Sequence, residues 1–311
     1  MTREPELVSV AAPMHDEVDT ATAFHQRVVA AMEGVPFELV IADDGSRDGT
    51  GAVLRGIAEA DARVKVVTLA RNFGHQAALT AALEHASGDV VVMLDGDLQD
   101  PPEAIPEMLD RWREGADVVY AVRSRREGET AFKRTTASWF YRLFRWMADI
   151  DLTPESGDFR LMDRRPLDAL LAMPERNRFL RGMSVWVGFT QTAVTFEREA
   201  RTAGRTKYTL RRMVRFSFDA ITSFSHRPLQ IATLLGFAFS ALAFLAIPLT
   251  VIARYANIYD RGVPSAIVVI LLLGGIQLIC VGIIGEYVGR IYDEVKNRPL
   301  YVVRDKANLE K

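Results

Sequence analysis

Two long stretches without a charged residue, Leu229–Ala253 and Val263–Gly285, constrain this chain more than anything else in it. They run for 25 and 23 residues. At about 1.5 Å per helical residue, each exceeds the roughly 30 Å hydrocarbon core of a bilayer. The alternative is a buried helix of a soluble protein, and two such runs nine residues apart weaken it. Here two follow one another, and the connector Arg254–Gly262 is too short to be a domain. The expectation is a transmembrane hairpin.

The flanking charges orient it. Arg201, Arg205, Lys207, Arg211, Arg212, Arg215 and Arg227 precede the first span. Arg290, Lys296, Arg298, Arg304 and Lys306 follow the second, while the connector holds only Arg254 and Arg261. The positive-inside rule places both ends in the cytoplasm and the connector outside. Met1–Glu6 and Leu7–Met14 lack the charged and apolar regions of a signal peptide, so the front of the chain is expected to stay in the cytosol.

The charge is split along the chain. Residues 1–120 carry 9 Lys+Arg against 22 Asp+Glu, and residues 121–311 carry 29 against 18. An acidic front and a basic back suit a molecule facing an anionic surface at one end. The overall charge of −2 speaks against a nucleic-acid binder. The 32 arginines against 6 lysines fit phosphate recognition, and a codon bias produces the same ratio. One cysteine, Cys280, excludes a disulfide framework and any Cys-rich zinc site.

Residues 1–120 alternate apolar runs with amphipathic ones. Leu7–Ala12, Phe37–Ala42, Val64–Leu69, Val90–Leu94 and Val118–Val122 read as strands buried on both faces. Helices are expected near 18–33, 48–60, 74–86 and 103–114. This is a βαβ series, hence an α/β, Rossmann-like fold with a mostly parallel sheet. Thr206–Phe224 places Leu210, Met213, Val214, Ile221 and Phe224 on one helical face and its arginines elsewhere. A basic amphipathic helix just before a span reads as interfacial, with an ordinary surface helix as the alternative. The domains expected are a cytosolic catalytic domain (1–205), a juxtamembrane helix (206–228), the hairpin (229–285), and a cytosolic C-terminal helix and tail (286–311).

In an open α/β sheet the site lies beyond the carboxyl ends of the strands. Four polar clusters sit there. They are Pro13, His15, Asp16 and Glu17; the loop Asp43–Thr50; the run Asp95–Pro102; and Arg123 with Arg125 and Arg126. Asp95 and Asp97, two apart on an extended segment, point the same way, and Gln99 continues the row. Two carboxylates and an amide oxygen suit a hard divalent cation that also takes diphosphate oxygens. The alternative is a loop of helix-capping acids. Gly96 admits a ligand closely. Asp43 and Asp44 suit the hydroxyls of a ribose or the edge of a base, while Asp48 and Thr50 suit turn chemistry. Gly49–Leu54 lacks the third glycine of a dinucleotide fingerprint, which excludes a dehydrogenase.

The Pro-x-His-Asp-Glu segment, the Asp-Asp-x-Ser-x-Asp-x-Thr loop, the Arg71-Asn72-Phe73-Gly74 turn and the Asp95–Pro102 run resemble family 2 glycosyltransferases of the GT-A fold. Several later elements resemble the polyprenyl-phosphate branch, which includes bactoprenol glucosyltransferases and dolichol-phosphate mannose synthases. They are Gly157–Leu161, Arg178–Gly182, Ala203–Tyr208, the hairpin, and Gly285–Tyr287 through Arg298–Tyr301. His15 stands where that family often has Tyr.

The resemblance implies inverting transfer of a hexose from a nucleotide sugar, UDP-glucose or GDP-mannose, to a polyprenyl phosphate, with Mg²⁺ or Mn²⁺ as cofactor. It implies donor contacts from Pro13, His15, Glu17, Asp43, Asp44, Asp95, Gly96 and Arg123. The metal ligands would be Asp95, Asp97 and Gln99. Asp97 and Asp158 belong at the reacting centre, and Arg201, Arg205 and Lys207 on the acceptor phosphate. Asp158 is the family's catalytic base. A phosphate monoester, with a second pKa of about 6, is largely anionic already, so orienting the acceptor or the sugar is a second role open to Asp158. Two other functions are weighed against this one. A processive polysaccharide synthase would carry a Gln-x-x-Arg-Trp element and more spans. A non-catalytic nucleotide-sugar-binding membrane scaffold would not need Asp95, Asp97, Gln99 and Asp158 intact. The Gly285/Gly289 spacing leaves a homo-oligomer open.

Overall fold

The computed structural model describes residues 3–123, 156–196, 225–255 and 263–309. They fall into two compact units. One holds the residues up to 196 and those from Pro299 onward; the other holds 225–255 and 263–298.

The first unit is built on an eight-stranded sheet. Its strands are β1 (Val8–Met14), β2 (Phe37–Asp43), β3 (Val64–Leu69), β4 (Val90–Met93), β5 (Val118–Arg123), β6 (Ser156–Asp163), β7 (Gln191–Phe196) and β8 (Val303–Ala307). Every residue of β1, β2 and β4 is buried. Such strands need cover on both faces, and the intervening helices supply it. These are α1 (Ala21–Ala31), α2 (Thr50–Ala60), α3 (His75–Glu84) and α4 (Ile105–Arg113), with two short ones, α5 (Arg164–Leu171) and α6 (Leu180–Trp186), further on. Helix α1 packs against α2, while α3 lies over β1 and β2. Right-handed crossovers put α1 and α2 on one face and α3 on the other. Phe24 and Val28 of α1 and Leu54 of α2 are fully buried, each contributing about 1.5–3 kcal/mol.

The strand order is β7-β5-β6-β4-β1-β2-β3-β8. From β1 the chain moves outward to β2 and β3 on one side, then returns to β4 on the other. The order therefore reverses at β1/β4, and the crevice beyond their carboxyl ends is where an open sheet binds ligands. Strand β6 runs antiparallel between β4 and β5. At the far edge, β8 runs antiparallel to β3. The segment expected as a C-terminal helix and tail thus divides. Its first part is helical to Lys296 and its last part joins the sheet.

At the opposite end of the sheet from the crevice, Glu38 of β2 is buried with partners. Ser9 Oγ donates to its Oε1 at 2.5 Å, and Ser87 donates through its backbone N–H at 2.6 Å and its hydroxyl at 2.9 Å. The Lys65 ammonium closes the cluster. These donors hold the carboxyl below its usual range although burial pushes it up.

The second unit contains α7 (Arg227–Tyr255) and α8 (Val263–Lys296), roughly 44 and 51 Å long. They pack on one another, with Tyr287 Oη donating to the Ser225 carbonyl at 2.6 Å. Both are long and apolar enough to cross a membrane. Phe237 is 72% exposed and Leu278 74%. The stretch Thr206–Phe224 and the connector 256–262 lie outside the described residues.

Candidate active site

Three loops converge at the β1/β4 crevice. The loop after β1 is bound to the loop after β2. The Asp16 N–H donates to Ser46 Oγ at 3.0 Å, and the Arg47 N–H donates to Asp16 Oδ1 at 2.9 Å. Asp48 accepts from the Thr50 N–H at 2.9 Å and from the Val18 N–H at 3.1 Å, the turn chemistry expected of it. Glu17 accepts from Thr20 Oγ1 at 2.9 Å, and His15 is exposed beside Asp16. Pro13 is buried within β1.

Asp43 and Asp44 end β2 and are buried. Asp43 Oδ1 accepts from the Ser46 N–H at 3.0 Å. Both Asp44 oxygens accept backbone N–H groups, from Phe73 at 2.6 Å and Gly74 at 2.9 Å. Asp44 thus anchors the turn that opens α3, a task the sequence reading did not give it. The same approach explains Gly45, where an added Cβ would lie 2.5 Å from the Arg71 carbonyl carbon. Gly96 is also a packing glycine, since a Cβ there would meet Met14 Cγ at 2.7 Å and the Pro13 carbonyl at 3.1 Å.

Asp95 and Asp97 follow β4. The Gln99 backbone donates to Asp97 Oδ1 at 3.1 Å and its side-chain amide to Oδ2 at 2.5 Å. Instead of a row of three oxygens, the structure has two carboxylates with a buried amide orienting one of them. Leu98 adopts φ = 59°, a conformation that costs a non-glycine residue energy and aims this loop. Arg123 ends β5 in register with Phe196, at the same edge of the sheet.

The antiparallel register brings Asp158 in. Val90 pairs with Asp163 and Met93 with Arg160, so the ends of these strands carry Asp95 and Asp158 toward the same place. His75, the first residue of α3, reaches both, with Nε2 3.5 Å from Asp95 Oδ1 and 3.4 Å from Asp158 Oδ2. Gln76 Nε2 donates to the same Asp158 oxygen at 3.0 Å. Arg181 Nε lies 3.5 Å from Oδ1. Arg160 is buried below, donating to the carbonyls of Gly157 at 3.0 Å and Arg181 at 3.2 Å and to the Ser184 hydroxyl.

The electrostatics follow from these neighbours. Burial pushes the Asp95 carboxyl up, and Asp158, Asp100 and Asp97 push it further, to about 6, against the pull of His75. The His75 side chain is 44% exposed; partial desolvation opposes its charge, yet Asp158, Asp95 and Asp97 raise it to about 9. Asp158 resists the same burial because His75, Arg181 and Arg160 surround it, and its carboxyl lies well below the usual range. It is held as an anion.

Asp95 and Asp97 fit a hard divalent cation. They are oxygen donors at a strand end, crowded by further carboxylates whose repulsion a cation relieves. Among the described residues no group of three His, Cys, Asp or Glu side chains is arranged to hold a metal ion, so the remaining ligands would come from a bound diphosphate or water. Arg201, Arg205 and Lys207 lie outside the described residues.

His75, Gln76 and Arg181 carry this geometry and were not singled out as site residues from the sequence. The available signal was the position of His75 and Gln76 directly after the Arg71–Gly74 turn, at the carboxyl end of β3.

Comparison with known proteins agrees with this architecture. The family profile "Glycosyl transferase family 2" matches residues 9–171, and "GtrB C-terminal hairpin" matches residues 227–291. The protein named "Uncharacterized glycosyltransferase YkcC" of Bacillus subtilis is 45% identical, covering 97% of this chain and 94% of that protein. A prophage-derived bactoprenol glucosyl transferase of Shigella flexneri is 40% identical over 96% of this chain and 97% of its own length. Among solved structures, glucosyl-3-phosphoglycerate synthase of Mycobacterium tuberculosis, in complex with Mn²⁺, UDP and phosphoglyceric acid, shares the GT-A fold. Its TM-score is 0.50 at 23% identity, covering 70% of this chain and 76% of that one. The chain belongs to the family 2 glycosyltransferases and is an enzyme of that class.

Proposed function

We propose that this enzyme transfers a hexose from a nucleotide sugar to a polyprenyl phosphate, with inversion at the anomeric carbon, and that UDP-glucose is the favoured donor with GDP-mannose as the alternative. The observation that carries this reading is the chain-long likeness to a bactoprenol glucosyl transferase, which extends through the hairpin as well as the catalytic unit.

The leaving group is a nucleoside diphosphate, and its developing charge needs positive groups. A divalent cation, Mg²⁺ or Mn²⁺, held by Asp95 and Asp97 would neutralise that charge. The chain's own cations, His75 and Arg181, stand at the same edge. Asp158, anionic, hydrogen-bonded by Gln76 and with His75 and Arg181 within 3.5 Å, orients the acceptor or sugar; the acceptor phosphate supplies its own negative charge for attack. Pro13, His15, Glu17, Asp43 and Arg123 border the donor side.

The same reading places α7 and α8 across a membrane with both ends cytoplasmic. The cytoplasmic side rests on the flanking positive charges, and that both ends share a side rests on topology. Strand β3 precedes the hairpin and β8 follows it, yet the two are hydrogen-bonded, so the chain between them crosses an even number of times. Arg201, Arg205 and Lys207, which precede the first span in the sequence, are the acceptor-phosphate residues of this reading.

The test is a panel of sugar nucleotides offered to the purified enzyme in membranes containing undecaprenyl phosphate, with Mg²⁺ or Mn²⁺. Label from UDP-glucose should move into the lipid extract. A panel in which no sugar becomes lipid-extractable would overturn the proposal.

A further inference from the structure

Gln76 makes two hydrogen bonds that join three separate elements. Its Nε2 donates to Asp158 Oδ2 at 3.0 Å, in β6, and its Oε1 accepts from the Leu180 backbone N–H at 2.9 Å, at the head of α6. The partners fix the orientation of the amide. An ionised carboxylate only accepts and a backbone N–H only donates, so a flipped amide would lose both bonds. Helix α6 has no side-chain cap from Phe179, the residue before it. Gln76 satisfies one of its free N–H groups instead.

The next residue of α6 is Arg181, whose guanidinium faces the other oxygen of Asp158. The residue before Gln76 is His75, which faces both Asp158 and Asp95. One amide therefore locks the acid, the arginine beside it and the helix that carries His75 into a single arrangement. The turn ahead of it is already pinned by Asp44. We propose that Gln76 is a positioning residue for the transfer step. It holds Asp158 and Arg181 in register with the metal-side carboxylate Asp95 without itself touching the reacting atoms. This rests on the reaction proposed above.

The distinction from a merely structural role lies in two replacements of similar size. Gln76→Met removes both hydrogen bonds. Gln76→Glu keeps an oxygen for the Leu180 N–H but offers Asp158 a negative charge in place of a donor. If Gln76 only caps α6, the Glu variant works like the wild type. If it positions Asp158, the Glu variant is as impaired as the Met variant or more so.

With the full-length enzyme in membranes, kcat for Gln76→Met should fall about ten- to a hundredfold, the scale of a small misplacement of reacting groups. Affinity for UDP measured by calorimetry should stay within about twofold, and Gln76→Glu should turn over no faster than Gln76→Met. Wild-type kcat in either variant, or a loss of UDP affinity that accounts for the fall, would overturn the proposal. Amide exchange at Leu180 reads the contact without turnover: it should quicken in Gln76→Met and stay near wild type in Gln76→Glu. Unchanged exchange in the Met variant refutes the contact itself. A wild-type enzyme that moves no sugar to polyprenyl phosphate refutes the reaction instead.

Discussion

Asp95 and Asp158 flank the His75 imidazole just past the Met93–Arg160 end of the antiparallel β4–β6 pair, with its Nε2 within 3.5 Å of both. Two like charges are brought together at the mouth of the sheet with a cation between them. Their surroundings part them. Asp95 is pushed up to about 6, while Asp158 is held far down by His75, Arg181 and Arg160.

Asp158 should therefore matter as a fixed anion. Asp158→Asn keeps its shape and removes its charge. Transfer to polyprenyl phosphate should fall by about a hundredfold or more, with UDP affinity by calorimetry within about twofold of wild type. A variant that keeps its rate, or that loses nucleotide binding first, would place Asp158 outside the transfer step.

Asp97→Asn should abolish transfer while the protein stays folded, because the change lies on a loop at a strand end. EDTA should do the same to the wild type, reversibly on adding Mg²⁺ or Mn²⁺. Gln99→Ala should be milder, since it removes an orienting amide rather than a charge. Turnover that persists in EDTA would argue against a cation at Asp95 and Asp97.

Much of the first unit is readable from hydropathy. Strands β1 to β5 coincide with continuous apolar runs to within a residue or two, because a strand covered on both faces has no reason to alternate. Asp95 and Asp97 follow from their place after such a run. Strand β6 does not stand out, since Ser156–Asp163 mixes polar and apolar residues, and its antiparallel insertion is a long-range pairing without a local signal. That insertion is what brings Asp158 to Asp95, so the centre of the site was visible only through family resemblance. His75 is one imidazole after a turn, and its role exists only once β6 is in place. Strand β8 carries Arg304, Asp305 and Lys306 on a sheet edge and reads as tail. Edge strands commonly carry such charges.

At the other end of the sheet, Glu38 sets an acid limit on stability. Its folded pKa is lowered, below the unfolded value of about 4.3. The stability it contributes is present above that value and is lost as pH falls through the folded pKa. Glu38→Gln should cost about 1–3 kcal/mol at pH 7, and the gap from wild type should shrink below about pH 4. Thermal unfolding at both pH values checks this. A gap equal at pH 7 and in acid would mean that charge plays no part there.

The hairpin orientation can be read with single thiols. Cys280 is the chain's one cysteine, so Cys280→Ala gives a clean background. Asn257→Cys, in the connector, should react with an impermeant thiol reagent added outside intact cells, and Lys306→Cys should react only after lysis. Labelling of both from outside would contradict the pairing of β3 with β8 in a cytoplasmic domain. The reverse pattern would invert the orientation.

The last prediction concerns the basic segment ahead of α7. Arg201 and Lys207 flank Gly204 shortly before the amphipathic stretch and the first span. A lipid phosphate lies at headgroup depth, so its protein ligands must come from residues held near the interface. The metal-side carboxylates, in contrast, sit at the carboxyl edge of the sheet. Transfer requires donor and acceptor to meet, and a charged segment between the catalytic unit and the spans is suited to carry the acceptor phosphate toward Asp158. Arg201→Ala and Lys207→Ala should therefore impair use of polyprenyl phosphate while leaving nucleotide-sugar binding intact. A charge-assisted phosphate contact contributes about 1.5–3 kcal/mol, roughly ten- to a hundredfold in acceptor kcat/KM. Arg205→Ala, in the same basic segment, should show a smaller loss, since Arg201 and Lys207 match the family motif more closely. Calorimetry with UDP and acceptor-dependence kinetics on the same three variants separate the two substrates. If Arg201→Ala and Lys207→Ala lose UDP affinity and keep their acceptor dependence, these residues belong to the donor side.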